Sequence, residues 1–252
     1  MNEDQKDILV KVPAITLGFW IIKILATTLG ETGGDAVSMS MNLGYLVGTA
    51  IFMVFFVGAV LVQVQAKKFH PLLYWATIVT STTVGTTLAD FATRSLGIGY
   101  TGGSTLLFTL LAASMLIWHK DLGRIDISSL NTPKAESYYW LTIMFSQTLG
   151  TALGDWTADT AGLGYLGAAA IFGTLLTVVI ALHYFTQISK TILFWAAFVL
   201  TRPLGAVVGD FLDKPTAQGG LEFSRYTATG VLLATIIILT LVLPQRAANK
   251  SH

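Results

Sequence analysis

The sequence contains no cysteine, only four histidines and few charged residues. Without cysteine, the chain forms no disulfides and offers no thiolate ligands to a metal. Charged residues make up 12% of the chain, whereas an average soluble domain carries about 25%. The formal net charge of +1 gives no electrostatic reason to expect nucleic acid as a partner. The composition therefore favours a membrane protein.

Motifs for several kinds of chemistry are also absent from the sequence. It has no phosphate-cradling glycine loop, no nucleophile beside a base and no histidine-based metal motif. We therefore expect no cofactor, no enzymatic activity and no ATP-driven transport by this chain alone. Only Met39 and Met41 lie near the outer ends of the predicted spans, and no span buries a histidine. This pattern disfavours binding of a soft metal.

Long apolar runs, by contrast, are plentiful, and 53% of the residues are hydrophobic. Four apolar blocks begin at Leu43, Thr105, Tyr165 and Ala228. Each approaches the roughly 20 residues that a helix needs to cross a bilayer. Four more polar segments alternate with them and begin near Val12, Pro71, Tyr138 and Thr191. Together they predict an all-α, polytopic membrane protein with eight transmembrane helices.

Lysine and arginine are distributed unequally between the two sets of predicted loops. Ten fall on one side, and only Arg94, Lys214 and Arg225 fall on the other. Positively charged loops stay in the cytoplasm, so both termini are predicted to be cytoplasmic. The N-terminal residues lead into the first span without a small-residue cleavage site, so we expect that span to be retained.

The four polar segments are copies of one pattern that can be aligned on tryptophan. The tryptophans are Trp20, Trp75, Trp140 and Trp195. A glycine follows ten residues after each: Gly30, Gly85, Gly150 and Gly205. An aspartate follows fifteen residues after each: Asp35, Asp90, Asp155 and Asp210. Each copy contains two spans, so all copies enter the membrane in the same direction and the four aspartates lie at one depth. If the tryptophans mark the aromatic belt at the cytoplasmic interface, the aspartates lie in the outer part of the bilayer.

The copies also pair, because the first resembles the third and the second resembles the fourth. This pairing predicts a doubled four-helix unit, with residues 1–118 as the first half and residues 137–252 as the second. Residues 119–136 are polar and form the predicted cytoplasmic linker.

The repeated tryptophan, glycine and aspartate, followed by "LGY" in the first and third copies and by "IGY" in the second, resemble a prokaryotic family described as a repeat of unknown function in membrane-anchored proteins. The resemblance covers about residues 15 to 240. It implies four two-helix repeats and a location in the prokaryotic plasma (inner) membrane, and it implies no activity. The fourth copy departs from the pattern after Gly219, where "LEFSRY" replaces the usual tyrosine.

The four aspartates are the main candidates for a functional site. One interpretation places them at the outer interface, where they end helices in water. The other turns them inward around a shared cavity, since carboxylates inside a membrane usually mark a path for an ion or substrate. Glu31 supports the second, because it lies one helical turn from Asp35. Asp155 and Asp159 form a second pair at that spacing. Such pairs repel unless a cation joins them or one carboxyl is protonated.

Hydroxyl and basic side chains complete the predicted site. Hydroxyls one turn below the aspartates are predicted to add oxygen ligands for a hard cation; the main candidates are Thr27, Thr28, Thr83 and Thr148. Arg202 precedes Pro203 and is predicted to act as an internal counter-ion. Lys23 is a second candidate counter-ion, although its position also suits a side chain that reaches the cytoplasmic surface. Five acids against two bases predict a cationic substrate.

The leading hypothesis is a secondary transporter, or alternatively a channel, for a small hard cation. A divalent metal, an alkali cation and an organic cation all stay open, and proton coupling is a further expectation. The metal ligands would be Asp35, Asp90, Asp155, Asp210 and Glu31. One alternative is a structural or partner-binding membrane protein whose aspartates only cap helices. Another is an intramembrane enzyme that acts on lipid with Asp155 and Asp159 as acid and base. Membrane lipid is the expected surrounding partner, and the sequence fixes no oligomeric state.

Overall fold

The computed structural model of the protein describes residues 11–125, 130 and 132–248, and this part of the chain contains eight long helices. They are α1 (Leu17–Asp35), α2 (Tyr45–Gln65), α3 (Pro71–Asp90), α4 (Gly99–Leu122), α5 (Pro133–Asp155), α6 (Gly164–Phe185), α7 (Lys190–Asp213) and α8 (Arg225–Val242). Five-residue π-helical turns continue three of them, at Ala36–Ser40, Phe91–Ser95 and Trp156–Thr160. A short 3₁₀ turn, Thr216–Gln218, precedes α8. The prediction of an all-helical chain is confirmed.

Ordinary helix signals set several of these boundaries. Pro71 and Pro133 begin α3 and α5, where the missing N–H of proline costs no hydrogen bond. The Thr132 hydroxyl accepts a hydrogen bond from the backbone N–H of Ala135 at 3.2 Å and so caps α5. Gly123 ends α4 in the left-handed conformation, with φ of 75°.

The first helices of the four copies pack side by side in a closed ring. Helix α1 contacts α3, α3 contacts α5, α5 contacts α7, and α7 returns to α1. The second helix of each copy lies outside this ring against the first helix of the next copy, so α2 packs on α3, α4 on α5 and α6 on α7. The last helix, α8, packs on α1. The two predicted halves therefore share one ring with approximate four-fold symmetry.

An aromatic layer closes the ring at the N-terminal ends of its helices. The residue before each tryptophan packs on the tryptophan of the next copy, and the distances between ring centroids lie within the range of roughly 4.5–7 Å that is typical of aromatic pairs. The distances are 5.4 Å for Phe19 and Trp75, 5.7 Å for Tyr74 and Trp140, 6.2 Å for Tyr139 and Trp195, and 5.9 Å for Phe194 and Trp20. Like ends meet, so the four inner helices are parallel. Because Trp75, Trp140 and Trp195 are buried, they do not form the interfacial aromatic belt that the sequence suggested.

The repeated glycines allow the ring helices to approach closely. A Cβ on Gly30 would lie 2.3 Å from the Thr82 hydroxyl oxygen, and one on Gly205 would lie 2.1 Å from that of Thr27. The same relation links Gly85 to Gln147 and Gly150 to Arg202. In every case the glycine meets the residue seven positions after the tryptophan of the next copy. One rule of contact therefore joins all four copies, including the fourth to the first.

Five helices are long and apolar enough to cross a membrane, namely α2, α4, α6, α7 and α8. Helices α1, α3 and α5 do not meet that criterion, because their sequences contain many polar residues. Many exposed side chains on the outer helices are large and hydrophobic, for example those of Phe55, Phe108 and Leu166. These features are typical of a membrane protein.

The two ends of the described chain lie together. The backbone N–H of Ala14 donates to the carbonyl of Arg246 at 2.8 Å, and that of Ala248 donates to Val12 at 2.9 Å. The predicted linker at 119–136 is shorter, because α4 continues to Leu122 and α5 begins at Pro133. Part of that linker, and the N-terminal residues 1–10 on which the retained-span prediction rests, lie outside the described residues.

Candidate functional site: a carboxylate layer in the ring

The four repeated aspartates meet at the C-terminal ends of the ring helices. Asp35, Asp90 and Asp155 are the last residues of α1, α3 and α5, and Asp210 lies one turn before the end of α7. None is more than 3% exposed. They lie inside the ring, away from the surface of the bundle.

Two basic side chains bridge these aspartates in pairs. The Arg94 guanidinium lies 2.8 Å from an oxygen of Asp90, in its own copy, and 3.1 Å from Asp155, in the next copy. The Lys214 amine makes the equivalent bridge, 3.1 Å from Asp210 and in direct contact with Asp35. Both bases follow an aspartate by four residues, one helical turn. The second and fourth copies therefore supply the bases, which gives the layer approximate two-fold symmetry.

Lys214 lies just beyond the last residue of α7. Burial lowers the pKa of Lys214, but the nearby carboxylates of Asp210 and Asp35 outweigh burial, so its pKa stays well above the ordinary value. Lys214 is therefore protonated near neutral pH and holds the two carboxylates together.

Glu31 breaks this two-fold symmetry and creates the densest group of carboxylates. One oxygen from each of Glu31, Asp35 and Asp210 lies within 4.8 Å of the other two, and all three residues are buried. We call these residues the three-carboxylate cluster. Within the described residues, Oδ1 of Asp35 has no hydrogen-bond partner, and Oδ1 of Asp210 contacts the Lys214 amine at 3.1 Å without a hydrogen bond of good geometry. Buried carboxylate oxygens that converge in this way are suited to a hard cation once a base is displaced.

Arg202 fills the axis of the ring directly beneath this cluster. It has no exposed surface, and its guanidinium pairs with Glu31 at 3.1 Å. It also donates to the backbone carbonyls of the three other ring helices, at 3.2 Å to Gln147, 3.0 Å to Thr27 and 3.4 Å to Thr82. Arg202 was predicted to be an internal counter-ion. Its partner is Glu31, because the repeat places residue 31 opposite Arg202 across the contact between α1 and α7.

Lys23 does not reach the surface of the protein, and it pairs with no acid among the described residues. It has no exposed surface. Its amine lies 3.4 Å from the side-chain oxygen of Gln147 and 4.2 Å from the centre of the Phe198 ring. The snorkelling interpretation is therefore wrong. Helix α1 is part of the ring, and Lys23 lies on its inner side, against Gln147 of α5 and Phe198 of α7.

The four predicted hydroxyl ligands use their hydrogens within the helices. Thr27, Thr28, Thr83 and Thr148 each donate to a backbone carbonyl three or four residues earlier, at 2.8–3.1 Å. Thr83 also lines a groove on the outside of the ring. Thr86, which occupies the same position in its copy as Glu31, is the hydroxyl that meets the site, at 3.2 Å from Glu31 and 2.5 Å from Arg202.

Asp159 is separate from the buried layer. It is exposed and accepts a hydrogen bond from the Tyr100 hydroxyl at 3.2 Å, whereas Asp155 is buried against Arg94. The sequence had paired these two carboxylates, but they differ both in burial and in hydrogen-bond partner.

The bases that neutralise the layer were not predicted from the sequence. Arg94 and Lys214 had been assigned to outer loops, and so had Arg225, which lies 2.9 Å from the buried Asp213 and 3.7 Å from Asp35. The spacing of four residues from Asp90 to Arg94 and from Asp210 to Lys214 was the available signal. With these residues included, the predicted surplus of acid almost disappears: six carboxylates face five bases.

Comparison with known proteins identifies the repeat. No curated protein and no solved structure matches the chain. A model of the family described as Repeat of Unknown Function (DUF347) matches four stretches, residues 18–69, 73–121, 138–189 and 193–246. These stretches coincide with the four copies, each formed by one ring helix and the outer helix that follows it. The chain therefore belongs to the Repeat of Unknown Function (DUF347) family.

Proposed function

We propose that the protein is a secondary transporter of a small hard cation and that all eight helices cross the membrane. Helices α1, α3 and α5 are polar, but polar spans are tolerated where neighbouring helices shield them from lipid. Their positions in the ring, with α2, α4, α6 and α8 outside, provide that shielding.

The three-carboxylate cluster carries this proposal. One oxygen of each residue lies within 4.8 Å of the other two, and the ring buries them away from water, so the repulsion between their charges is weakly screened. A bound cation or proton relieves that repulsion. A divalent metal, an alkali cation and an organic cation are all compatible with such a site.

Binding in this layer requires an exchange of positive charge, because bases already occupy the carboxylates. Arg202 is held by three backbone carbonyls besides Glu31. Lys214, by contrast, lies in the connection after α7, and its side chain is held by the contacts of its amine with Asp35 and Asp210. We therefore assign Lys214 as the counter-ion that leaves when the cation enters, in place of Lys23. Protons are the natural coupling ion if a carboxyl of the cluster releases one at that step.

The proposed location is the prokaryotic plasma membrane with both termini in the cytoplasm. The pairing of the two chain ends supports an even number of crossings. The excess of lysine and arginine in one set of loops supports the orientation.

A structural membrane protein is the second candidate, favoured by one specific observation. The carboxylate layer is almost neutral, and Arg202 seals the axis. A ring stabilised only by buried ion pairs would have the same features.

Ion flux into vesicles that contain the purified protein distinguishes the two candidates. The panel comprises Mn²⁺, Mg²⁺, Na⁺, K⁺ and a tetraalkylammonium ion, each with and without an imposed proton gradient. The test variant replaces the four repeated aspartates with asparagine, and Asp159→Asn is the matched control because Asp159 is exposed. Circular dichroism and gel filtration check that each variant is folded.

A transporter predicts flux of at least one cation above that of empty vesicles, loss of that flux in the fourfold variant and retention in the control. Full flux in a folded fourfold variant would reject the carboxylate layer as the path. The absence of flux for every ion in the panel would favour the structural role.

A further inference from the structure

An open apolar groove runs along the outside of the ring between outer helices α2 and α8. Its floor is formed by α1 and α3, and its volume is about 430 Å³, which lies in the range of roughly 300–1,000 Å³ typical of ligand sites. Its walls include Phe52 and Phe55 of α2 and Leu233 of α8. Phe55 and Leu233 are exposed, so the groove opens away from the bundle.

The groove exists where the first copy departs from the repeat. Gly33 lies on its floor, thirteen residues after the tryptophan of the first copy. The other three copies hold a branched aliphatic residue at that position: Leu88, Leu153 and Val208. Each of those side chains is half-buried. Of the four copies, the first is therefore the one without a side chain at this position.

Packing against a neighbouring helix does not explain Gly33. A Cβ on Gly33 would meet nothing closer than 3.5 Å, the distance to a methyl of Thr229, which is an ordinary contact. A Cβ on Gly30 or Gly34, by contrast, would lie 2.3 Å or 2.9 Å from side-chain atoms of α3. Those two glycines let helices approach, whereas Gly33 opens a space.

The threonines in the groove present methyl groups to any occupant. The hydroxyls of Thr80 and Thr83 donate to backbone carbonyls of their own helix, at 3.0 Å to Ala76 and 2.8 Å to Val79. The hydroxyl of Thr229 bonds to that of Thr32 at 2.9 Å. Because these hydroxyls are already engaged, the groove favours an occupant without polar groups.

The groove is elongated along the helix axes. Its residues on α1 and on the π-helical turn that continues α1 include Leu29, Gly33 and Val37, which lie one helical turn apart and extend over about 12 Å at 1.5 Å per residue. One leaflet of hydrocarbon is about 15 Å deep, half of the roughly 30 Å core. The shape therefore suits a straight hydrocarbon chain that lies parallel to the helices.

We propose that this groove is a binding site for one acyl chain of a membrane phospholipid. The exposed walls belong to helices apolar enough to cross a membrane, so hydrocarbon is the medium at the mouth of the groove. The site rests on the membrane location alone and does not depend on which ion the carboxylate layer binds.

Photolabelling tests the site. The purified protein is placed in vesicles of phosphatidylethanolamine and phosphatidylglycerol that contain a trace of phosphatidylcholine with a diazirine on one acyl chain. After illumination, the labelled residues are mapped by mass spectrometry of peptides. The test variant is Gly33→Leu, which restores the residue type of two other copies and fills the groove. The matched control is Val208→Leu, at the same position of the fourth copy.

The expected result is several-fold stronger labelling at Phe52, Phe55 and Leu233 than on the exposed faces of α4 and α6. Gly33→Leu removes that excess, and Val208→Leu keeps it. Even labelling of all outer helices in the native protein overturns the proposal without recourse to any variant. Unchanged labelling in a folded Gly33→Leu protein also overturns it.

A second copy of the chain is the competing occupant. Because the chain has no cysteine, Phe55→Cys introduces a single thiol at the mouth of the groove. Oxidation of this variant in vesicles should leave it monomeric on a gel. Rapid formation of a disulfide dimer would show that another protein molecule covers the groove and would overturn the lipid assignment.

Discussion

The ion pair between Arg202 and Glu31 should make a large contribution to stability that can be measured as a coupling free energy. Removing one partner of a buried ion pair costs roughly 3–5 kcal/mol, because the remaining charge has no compensation. Arg202→Met should therefore lower the free energy of unfolding by about that amount. Glu31→Gln should cost less, because the guanidinium keeps its bonds to the carbonyls of Thr27 at 3.0 Å and Gln147 at 3.2 Å.

Reversible unfolding in mixed micelles, followed by circular dichroism, provides the assay. The double variant Arg202→Met/Glu31→Gln should lose less than the sum of the single losses, with a coupling of about 1–3 kcal/mol, in the upper part of the range for contacting residues. Lys190→Met is the control, because Lys190 is an exposed base at the start of the same helix, and it should change little. Additive losses would refute the buried pair as the element that seals the axis.

Two further predictions concern the contacts between copies. Gly205→Ala would place a Cβ 2.1 Å from the Thr27 hydroxyl oxygen and should cost roughly 1–3 kcal/mol of unfolding free energy through overpacking. The control is Gly173→Ala, whose Cβ would meet open space and which should cost nothing. Similar losses in both variants would contradict the contact rule. Tyr74 and Tyr139 share a buried hydrogen bond of 3.0 Å, so either single change to phenylalanine should cost about 1–3 kcal/mol and the double change much less than the sum. Additive losses in that double variant would show that the hydroxyls do not depend on each other.

Much of the fold could be predicted from periodic features of the sequence. Hydrophobic blocks of nearly constant length gave the helices, and the recurrence of tryptophan, glycine and aspartate gave the four copies. The ring could not be predicted in this way, because a repeat states which residues are equivalent and leaves open which copies touch. The contact between Gly205 of the fourth copy and Thr27 of the first closes the ring, and only the structure contains that information.

The site was predicted less completely, and for a related reason. The carboxylates were found because they recur, whereas Arg94 and Lys214 occur only in alternate copies and were counted as loop charges. Lys23 was assigned to the surface because its depth along α1 suits a long side chain that reaches water. Its direction around the helix decides its burial, and that direction depends on where the ring axis lies.

Cation flux in two matched double variants tests the central claim most directly, namely that the transported ion binds at Glu31, Asp35 and Asp210. In vesicles supplied with the ion that the native protein carries best, Asp35→Asn/Asp210→Asn should abolish flux. Asp90→Asn/Asp155→Asn, which leaves the cluster intact, should retain most of it. Native flux in a folded Asp35→Asn/Asp210→Asn protein would contradict the account.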